Sequence, residues 1–289
     1  MEITMAMVKE LREKTEAGFM DCKKALVETD GDMDAAVDWL RKKGASKAVN
    51  KAGRIAAEGL VKVVVDGNKA LLVEMNCETD FAAGNVHFQE LLDKTTELIL
   101  EKKPATVEEA LEDGVQELIN DATAVISEKL TLRRFEFVEK TDEEAMGVYT
   151  HMNKQIVSCA VVSPDNQEVA VNMAMQVAAM SPVYVSEEDV PESVIAHERE
   201  IQKAIMDQDP SNANKPEAIQ EKILSGKVSK SLKESCLSDQ DFFLDTSKKV
   251  SAYLKENNVK VVKFLRYKVG EGIEKKQENF AEEVANAFK

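Results

Sequence analysis

The stretch Gly59-Leu60-Val61-Lys62-Val63-Val64-Val65, then Asp66-Gly67-Asn68, then Ala70-Leu71-Leu72-Val73-Glu74-Met75-Asn76 decides the fold class. β-Branched and apolar residues fill both arms around a turn-forming Asp-Gly, which predicts a β-hairpin. Beyond it, Phe88, Leu91, Leu92, Thr95, Leu98 and Ile99 share one helical face. A second helical stretch, Leu111 to Leu130, leads to a strand, Leu132 to Val138. The same order recurs from Gly147: strand Val148 to His151, strand Ile156 to Val162, a helix carrying Val169, Met173, Met175, Val177 and Met180, and a late strand, Val259 to Val269. A degenerate repeat of hairpin, helix and returning strand predicts an α+β core of two subdomains, 55–140 and 141–180 with 243–269.

Upstream, apolar stripes at helical spacing (Thr4, Met7, Val8, Leu11; Met20, Ala25, Leu26; Met33, Ala36, Val37, Leu40) predict three short helices, with Asp32 as an N-cap and Gly18 and Gly31 at the turns. The bundle has the size of a ubiquitin-associated-type module. Arg41 to Arg54 adds six cations and no acid. No aromatic residues are interleaved for base stacking, so a solvated linker helix closing a 1–54 unit is preferred over an RNA contact. Between the second helix and the last strand lies an insertion, 181–242. Val194, Ile201 and Ile205 mark one helix, Ile219, Ile223 and Leu232 another, and Asp209 to Asn212 and Lys215-Pro216 turn the chain between them. In the tail, 270–289, Phe280, Val284 and Phe288 at a spacing of four predict a short amphipathic helix over 277–289.

The 289 residues hold 38 Lys and Arg against 53 Asp and Glu, a net charge of −15 that argues against duplex nucleic acid or anionic membrane as the main partner. The first 54 residues, with 11 cations and 10 acids, are nearly neutral, so the acidity sits in the rest. No apolar run approaches the roughly 20 residues of a membrane span, and the N-terminus lacks leader or transit character, so a cytoplasmic protein is expected. Cys22, Cys77, Cys159 and Cys236, like His87, His151 and His197, are scattered without metal-ligand spacing. Phosphate-loop, dinucleotide, zinc-protease and nucleophile-elbow motifs are absent from the sequence. Neither covalent catalysis nor a cofactor or metal is expected.

Cys77-Glu78-Thr79-Asp80-Phe81 sits between a strand and a helix. N-capping explains Thr79 and Asp80. Phe81, beside Ala82, Ala83 and Gly84, reads either as a core anchor or as an exposed tip.

Thr15 to Leu26 (TEAGFMDCKKAL) closely resembles the N-terminal signature of the translation elongation factor Ts family. Asn76 to Phe81 is similar to its second signature, Leu132-Arg133-Arg134 to its following strand, and Gly270 to Lys275 to its C-terminal module. The order is kept over essentially the whole chain. The chain departs from the family at Glu16, Ser127 and Met152, where glycine is frequent, at Phe19 (Met) and at Ala82 (Val). The resemblance implies a non-enzymatic guanine nucleotide exchange factor that binds EF-Tu·GDP, binds no nucleotide itself, and opens the partner's Mg/phosphate site with an Asp80-Phe81 tip. It implies partner contacts at Arg12, Phe19 and Met20, at Thr79, Asp80, Phe81 and Ala82, and at Ile126 and His151. It also links the hairpin insertion to self-association, as a homodimer or a heterotetramer with EF-Tu. Two further readings remain: an adaptor acting through the three-helix module, and a ribosome-associated RNA binder using the cation run.

Overall fold

The computed structural model describes residues 3–208 and 216–274, apart from the side chains of Lys47 and Val49. The helix expected over 277–289 and the turn residues 209–215 lie outside these. Helices α1 (Met5–Thr15), α2 (Phe19–Glu28) and α3 (Met33–Lys51) enclose Val8, Leu11, Cys22, Ala25, Leu26, Ala36 and Leu40. Thr4 caps α1, its Oγ1 accepting from the Met7 N–H, and Asp32 Oδ1 accepts from the Ala35 N–H at 3.0 Å. Met20, expected within the α2 stripe, is 69% exposed, because at helical spacing it falls on the opposite face of α2 from the buried Cys22, Ala25 and Leu26.

The linker helix expected over the basic run is the second half of α3 as far as Lys51, with Arg54 beyond its end; it packs on α7 (Gln116–Ile126), and Arg41, half exposed, pairs with Glu117 and Asp121. The helices approach so closely at Gly44 that a Cβ would stand 2.6 Å from the Asn120 carbonyl oxygen.

In the core, β1 (Glu58–Asp66) and β2 (Lys69–Cys77) are joined by the two-residue loop Gly67-Asn68, with Gly67 at φ 57, the left-handed conformation a tight hairpin needs. Helices α4 (Asp80–Gly84), α5 (Val86–Lys102), α6 (Val107–Ala110) and α7 follow, and β3 (Thr131–Glu139) returns beside β2. The second half repeats this plan. β4 (Ala145–Thr150) and β5 (Ile156–Ser163) form a hairpin, α8 (Gln167–Met180) crosses it, and after the insertion a final strand returns beside β5. Gly147 is required here, since any Cβ would meet the Ala170 backbone at 2.1 Å.

The insertion is an antiparallel pair, α9 (Glu192–Asp207) and α10 (Glu217–Ser235), sealed by Met206, Leu224 and Val228. Ile201, Ile205 and Ile219 face outward, so the seam is narrower than the sequence pattern suggests. Three pieces too short for a periodic signal follow: β6 (Asp241–Phe242), β7 (Asp245–Lys249) and α11 (Val250–Glu256). The last strand, β8 (Lys260–Lys268), then closes the second sheet, in order β4-β5-β8.

The two sheets stack face to face between outer helices. Leu71, Val73, Met75 and Cys77 of β2 face α5 and α7, while Ala70 and Leu72 share a core with Val157, Cys159 and Val161 of β5. On the outer face of the second sheet, Ala160 and Val162 pack with Val169, Met173 and Val177 of α8. Met180, expected in that stripe, is exposed at the helix end.

Within the interface between sheets lies one carboxylate, Glu74, fully buried. Its oxygens accept from Arg133 Nη1 at 2.9 Å, Arg134 Nε at 2.6 Å, Asn76 Nδ2 at 3.2 Å and the Gly270 N–H at 2.8 Å. Gly270 takes φ 68 against Ala57, where a Cβ would stand 2.2 Å from its carbonyl oxygen. Arg133 also donates to the Glu271 carbonyl, and Arg134 stacks on Tyr267 with 4.1 Å between guanidinium and ring centre. Removing one partner of such a group leaves charge unpaired. Glu74→Ala is therefore expected to cost about 3 kcal/mol, the low end for a broken buried pair because both arginines retain solvent access. Urea denaturation of variant and parent checks this, with a change below about 1 kcal/mol counting against it.

Candidate functional site

The segment from Cys77 to Gly84 leaves β2 and turns at once into α4. The capping expected of Asp80 belongs to Thr79, whose Oγ1 accepts from the Ala82 N–H at 3.2 Å. The helix simply begins one residue earlier. Asp80 is its first residue, and Asp80 Oδ1 accepts from the Phe81 N–H at 2.9 Å. Ala82 and Ala83 are buried beneath, and Phe81 is 87% exposed. An apolar ring left in water on an otherwise packed turn is the feature that needs a partner.

The mount under Phe81 is built from residues far away in sequence. Glu128 Oε2 accepts from the N–H groups of Glu78 and Thr79, both at 3.0 Å, and Glu128 Oε1 from the Thr79 hydroxyl at 2.7 Å. Glu78 accepts from the Lys129 N–H at 2.6 Å and from Arg54 Nη1 at 3.1 Å. Lys129 Nζ reaches back to the carbonyls of Ala52 and Arg54 at 2.7 Å each. Burial, and secondarily the Glu128 carboxylate, push the Cys77 thiol up to about 12, and its Sγ donates to the Thr79 carbonyl at 3.1 Å. The sequence singles out Glu78 to Phe81, and through the resemblance Ile126 and Ser127, but assigns no role to Glu128 beside them, which lies 50 positions from its Glu78 partner.

Ile126 is half-buried, packed against the first subdomain's core at the end of α7. Ser127 follows at φ 62, and this left-handed residue turns Glu128 toward the tip. Glu16 likewise takes φ 54 at the end of α1, so two of the positions where the family often carries glycine are left-handed here. Met152, the third, has no positive φ and is 94% exposed. His151, expected on a strand, lies just past β4 in its hairpin loop. It is exposed, with Nδ1 3.3 Å from the Tyr149 hydroxyl.

Helix α5 gathers these places. On one side Glu16 Oε2 stands 3.3 Å from His87 Nδ1, bringing the α1–α2 turn alongside. That turn sits between exposed Arg12 and the pair Phe19 and Met20, of which Phe19 is half-buried. Lys14 to Ala17 and His87, Glu90 and Leu91 share the walls of a cleft of about 410 Å³. On the other side Thr150 and Lys154, flanking His151, line a groove with Gln89, Leu92 and Asp93 of α5. The α1–α2 turn and the residues flanking His151 thus reach α5 from two sides, while no described contact brings Arg12, Phe19, Met20, Ile126 or His151 itself to that helix.

Among the described residues no group of three or more His, Cys, Asp or Glu side chains is placed to hold a metal ion, and no helix is long and apolar enough to cross a membrane. The family model described as elongation factor TS matches residues 78–271, two-thirds of the chain, from the mount of Phe81 to the Arg-paired turn at Glu271. The chain belongs to the elongation factor Ts family. That family comprises translation elongation factors that exchange nucleotide on EF-Tu without covalent chemistry. Within the elongation factor Ts frame, residues 3–77 of the described chain lie outside the matched span, yet they supply β1, β2 and the α3 helix on which the tip's mount leans.

Exposure and mounting separate two kinds of variant. Phe81→Ala is expected to leave the melting temperature unchanged, whereas Thr79→Ala and Glu128→Ala should each lose about 1 kcal/mol or more through the missing cap and orphaned N–H groups. Thermal melts of the three variants test this, and a Phe81→Ala protein that melts early would make Phe81 structural. Cys77 should resist alkylation in the native state at pH 8.

Proposed function

We propose that this chain binds EF-Tu carrying GDP in the cytoplasm and speeds GDP release by seating Phe81 in a site that opens only as the partner's Mg/phosphate region is disturbed. The observation carrying this reading is the 87% exposed Phe81 on a turn held by Thr79, Glu128 and Glu78. Pre-ordering matters because ring and backbone lose little further freedom on insertion. The family membership supports the partner, and the absence of phosphate-loop signatures fits a nucleotide that belongs to the partner.

Arg12, Phe19 and Met20 provide a first grip and His151 a second, while Ile126 and buried Ala82 act from beneath the tip. Asp80 holds the Phe81 N–H and keeps the short helix oriented. These grips bind both partner states alike and raise affinity without raising the release rate; only an interaction absent from the ground complex does that. By linkage, whatever the factor takes from GDP affinity, GDP takes from factor affinity, so the ternary state sheds either ligand. The outward isoleucines of the α9–α10 arm suit self-association rather than exchange.

Burying one phenyl ring stabilises the opened state by about 1.5 to 3 kcal/mol, roughly a tenfold to hundredfold bias. Phe81→Ala is therefore expected to release fluorescent GDP at least several-fold more slowly at saturating factor while still binding. Stopped-flow release decides it, and parental rates would remove the wedge. The arm offers a second test, since the Val183 N–H donates to the Ser235 carbonyl at 2.8 Å and its two ends are therefore adjacent. Replacing 187–234 with a short Gly/Ser link should change solution mass or affinity and leave saturated exchange intact. Loss of exchange would place the arm in the mechanism.

A further inference from the structure

We propose that Lys129 is a positioning residue for nucleotide exchange: it clamps the end of α3 to the mount of Phe81 and so fixes the N-terminal grip relative to the tip, a role that rests on the exchange reading above. Helix α3 is one rod of 19 residues, about 28 Å long, shared by two modules. Its first half supplies Ala36 and Leu40 to the core of the N-terminal bundle. Further along, Gly44 lies so near the Asn120 carbonyl of α7 that no side chain would fit between them. Past that crossing the contact opens, and a cavity of about 450 Å³ lies between Ala45, Ala48 and Ala52 of α3 and Ile119 and Leu130 of the main core. A rod that touches its support closely at one crossing and stands off beyond it can rock about that crossing unless its far end is held.

Lys129 holds that end. Its Nζ donates to the carbonyls of Ala52 and Arg54 at 2.7 Å each, just past the last turn of α3, where carbonyls lack helical partners and the helix dipole favours a cation. The backbone N–H of the same residue donates to Glu78 at 2.6 Å, and Glu78 also accepts from Arg54. Lys51 Nζ adds a bond to the Ser127 carbonyl. The rod therefore ends on the segment that carries Phe81. At the other end of the bundle the contact between Glu16 and His87 restrains little, because the Glu16 side chain is largely exposed. If the rod rocked, the α1–α2 turn with Phe19 and Met20 would shift against the tip, and a partner could satisfy both contacts without opening.

The test uses the full-length protein with nitroxide labels on cysteines introduced by Glu28→Cys in α2 and Glu101→Cys in α5, both exposed, the four native thiols being buried. Lys129→Ala is expected to broaden the dipolar distance distribution between the labels. In unlabelled protein it should slow GDP release from EF-Tu several-fold at saturating factor and leave the half-saturating concentration little changed. Lys129→Arg, which keeps the cation and its donors, should restore both. Both variants should melt with the parent, since a half-exposed lysine adds little to stability. An unbroadened distribution, parental release at saturation, or slowing that Lys129→Arg does not relieve would each overturn the proposal. Phe81→Ala run alongside separates the two claims: if it alone is slow, the exchange reading stands and the clamp is wrong, and if it too exchanges like the parent, the reading falls and the role of Lys129 in exchange with it.

Discussion

A carboxylate with no access to water sits between the two sheets, and the core closes around its need for donors. Burying Glu74 unpaired would be prohibitive, so β3 must deliver Arg133 and Arg134, and the chain must bring the Gly270 N–H to it across 196 residues of sequence. The bulge in the β2–β3 pairing between Glu74 and Met75 lets two consecutive arginines reach the same carboxylate. A one-residue slip of β2 would turn Glu74 toward α5 and Met75 into the arginines. The pair of repeated subdomains is therefore one unit: the first sheet's central charge is satisfied only after the second sheet's last strand has returned.

That closure also determines what the Phe81 end can do. With β2 buried on both faces, the segment leaving it at Cys77 starts from a fixed point, and Glu128 and Glu78 tie it across to the end of α7 and the end of α3. The tip thus has few ways to hide Phe81. Two buried alanines pack beneath it, and a five-residue helix cannot rotate the ring inward without losing the Thr79 cap.

The fold was legible in sequence wherever periodicity ran long enough. Both hairpins, α5, α8 and the returning strands follow from alternation and stripes, because one face of each is buried. What was hidden depends on partners distant in sequence. The cations of α3 read as solvated, and they are largely exposed; what the sequence hides is that Glu117 and Asp121 of α7 stand opposite Arg41. Thr79 and Asp80 are both good caps, and only the helix start distinguishes them. Glu128 looks like any surface acid, and β6, β7 and α11 are shorter than the windows in which a period shows. Phe81 was ambiguous for a sound reason: phenylalanine is usually core, and only its small neighbours hinted otherwise.

The arrangement around α5 bears on how a binding protein can act on a ligand it never touches. Contacts at the α1–α2 turn and at the His151 loop would tether a partner at two points, and their energy is available whether or not the partner has changed shape. A probe lying between them, already in its final geometry, meets the partner at a position those tethers choose. If the partner's closed form clashes with Phe81, the tethers' binding energy opposes that form, and the opened form is favoured by the ring's burial besides. A loosely held tip would dissipate this by moving aside. In the proposed reading, the hydrogen bonds that Glu128 accepts from the Glu78 and Thr79 N–H groups deny it that escape, so a residue beneath the tip would serve exchange through the ring it holds in place.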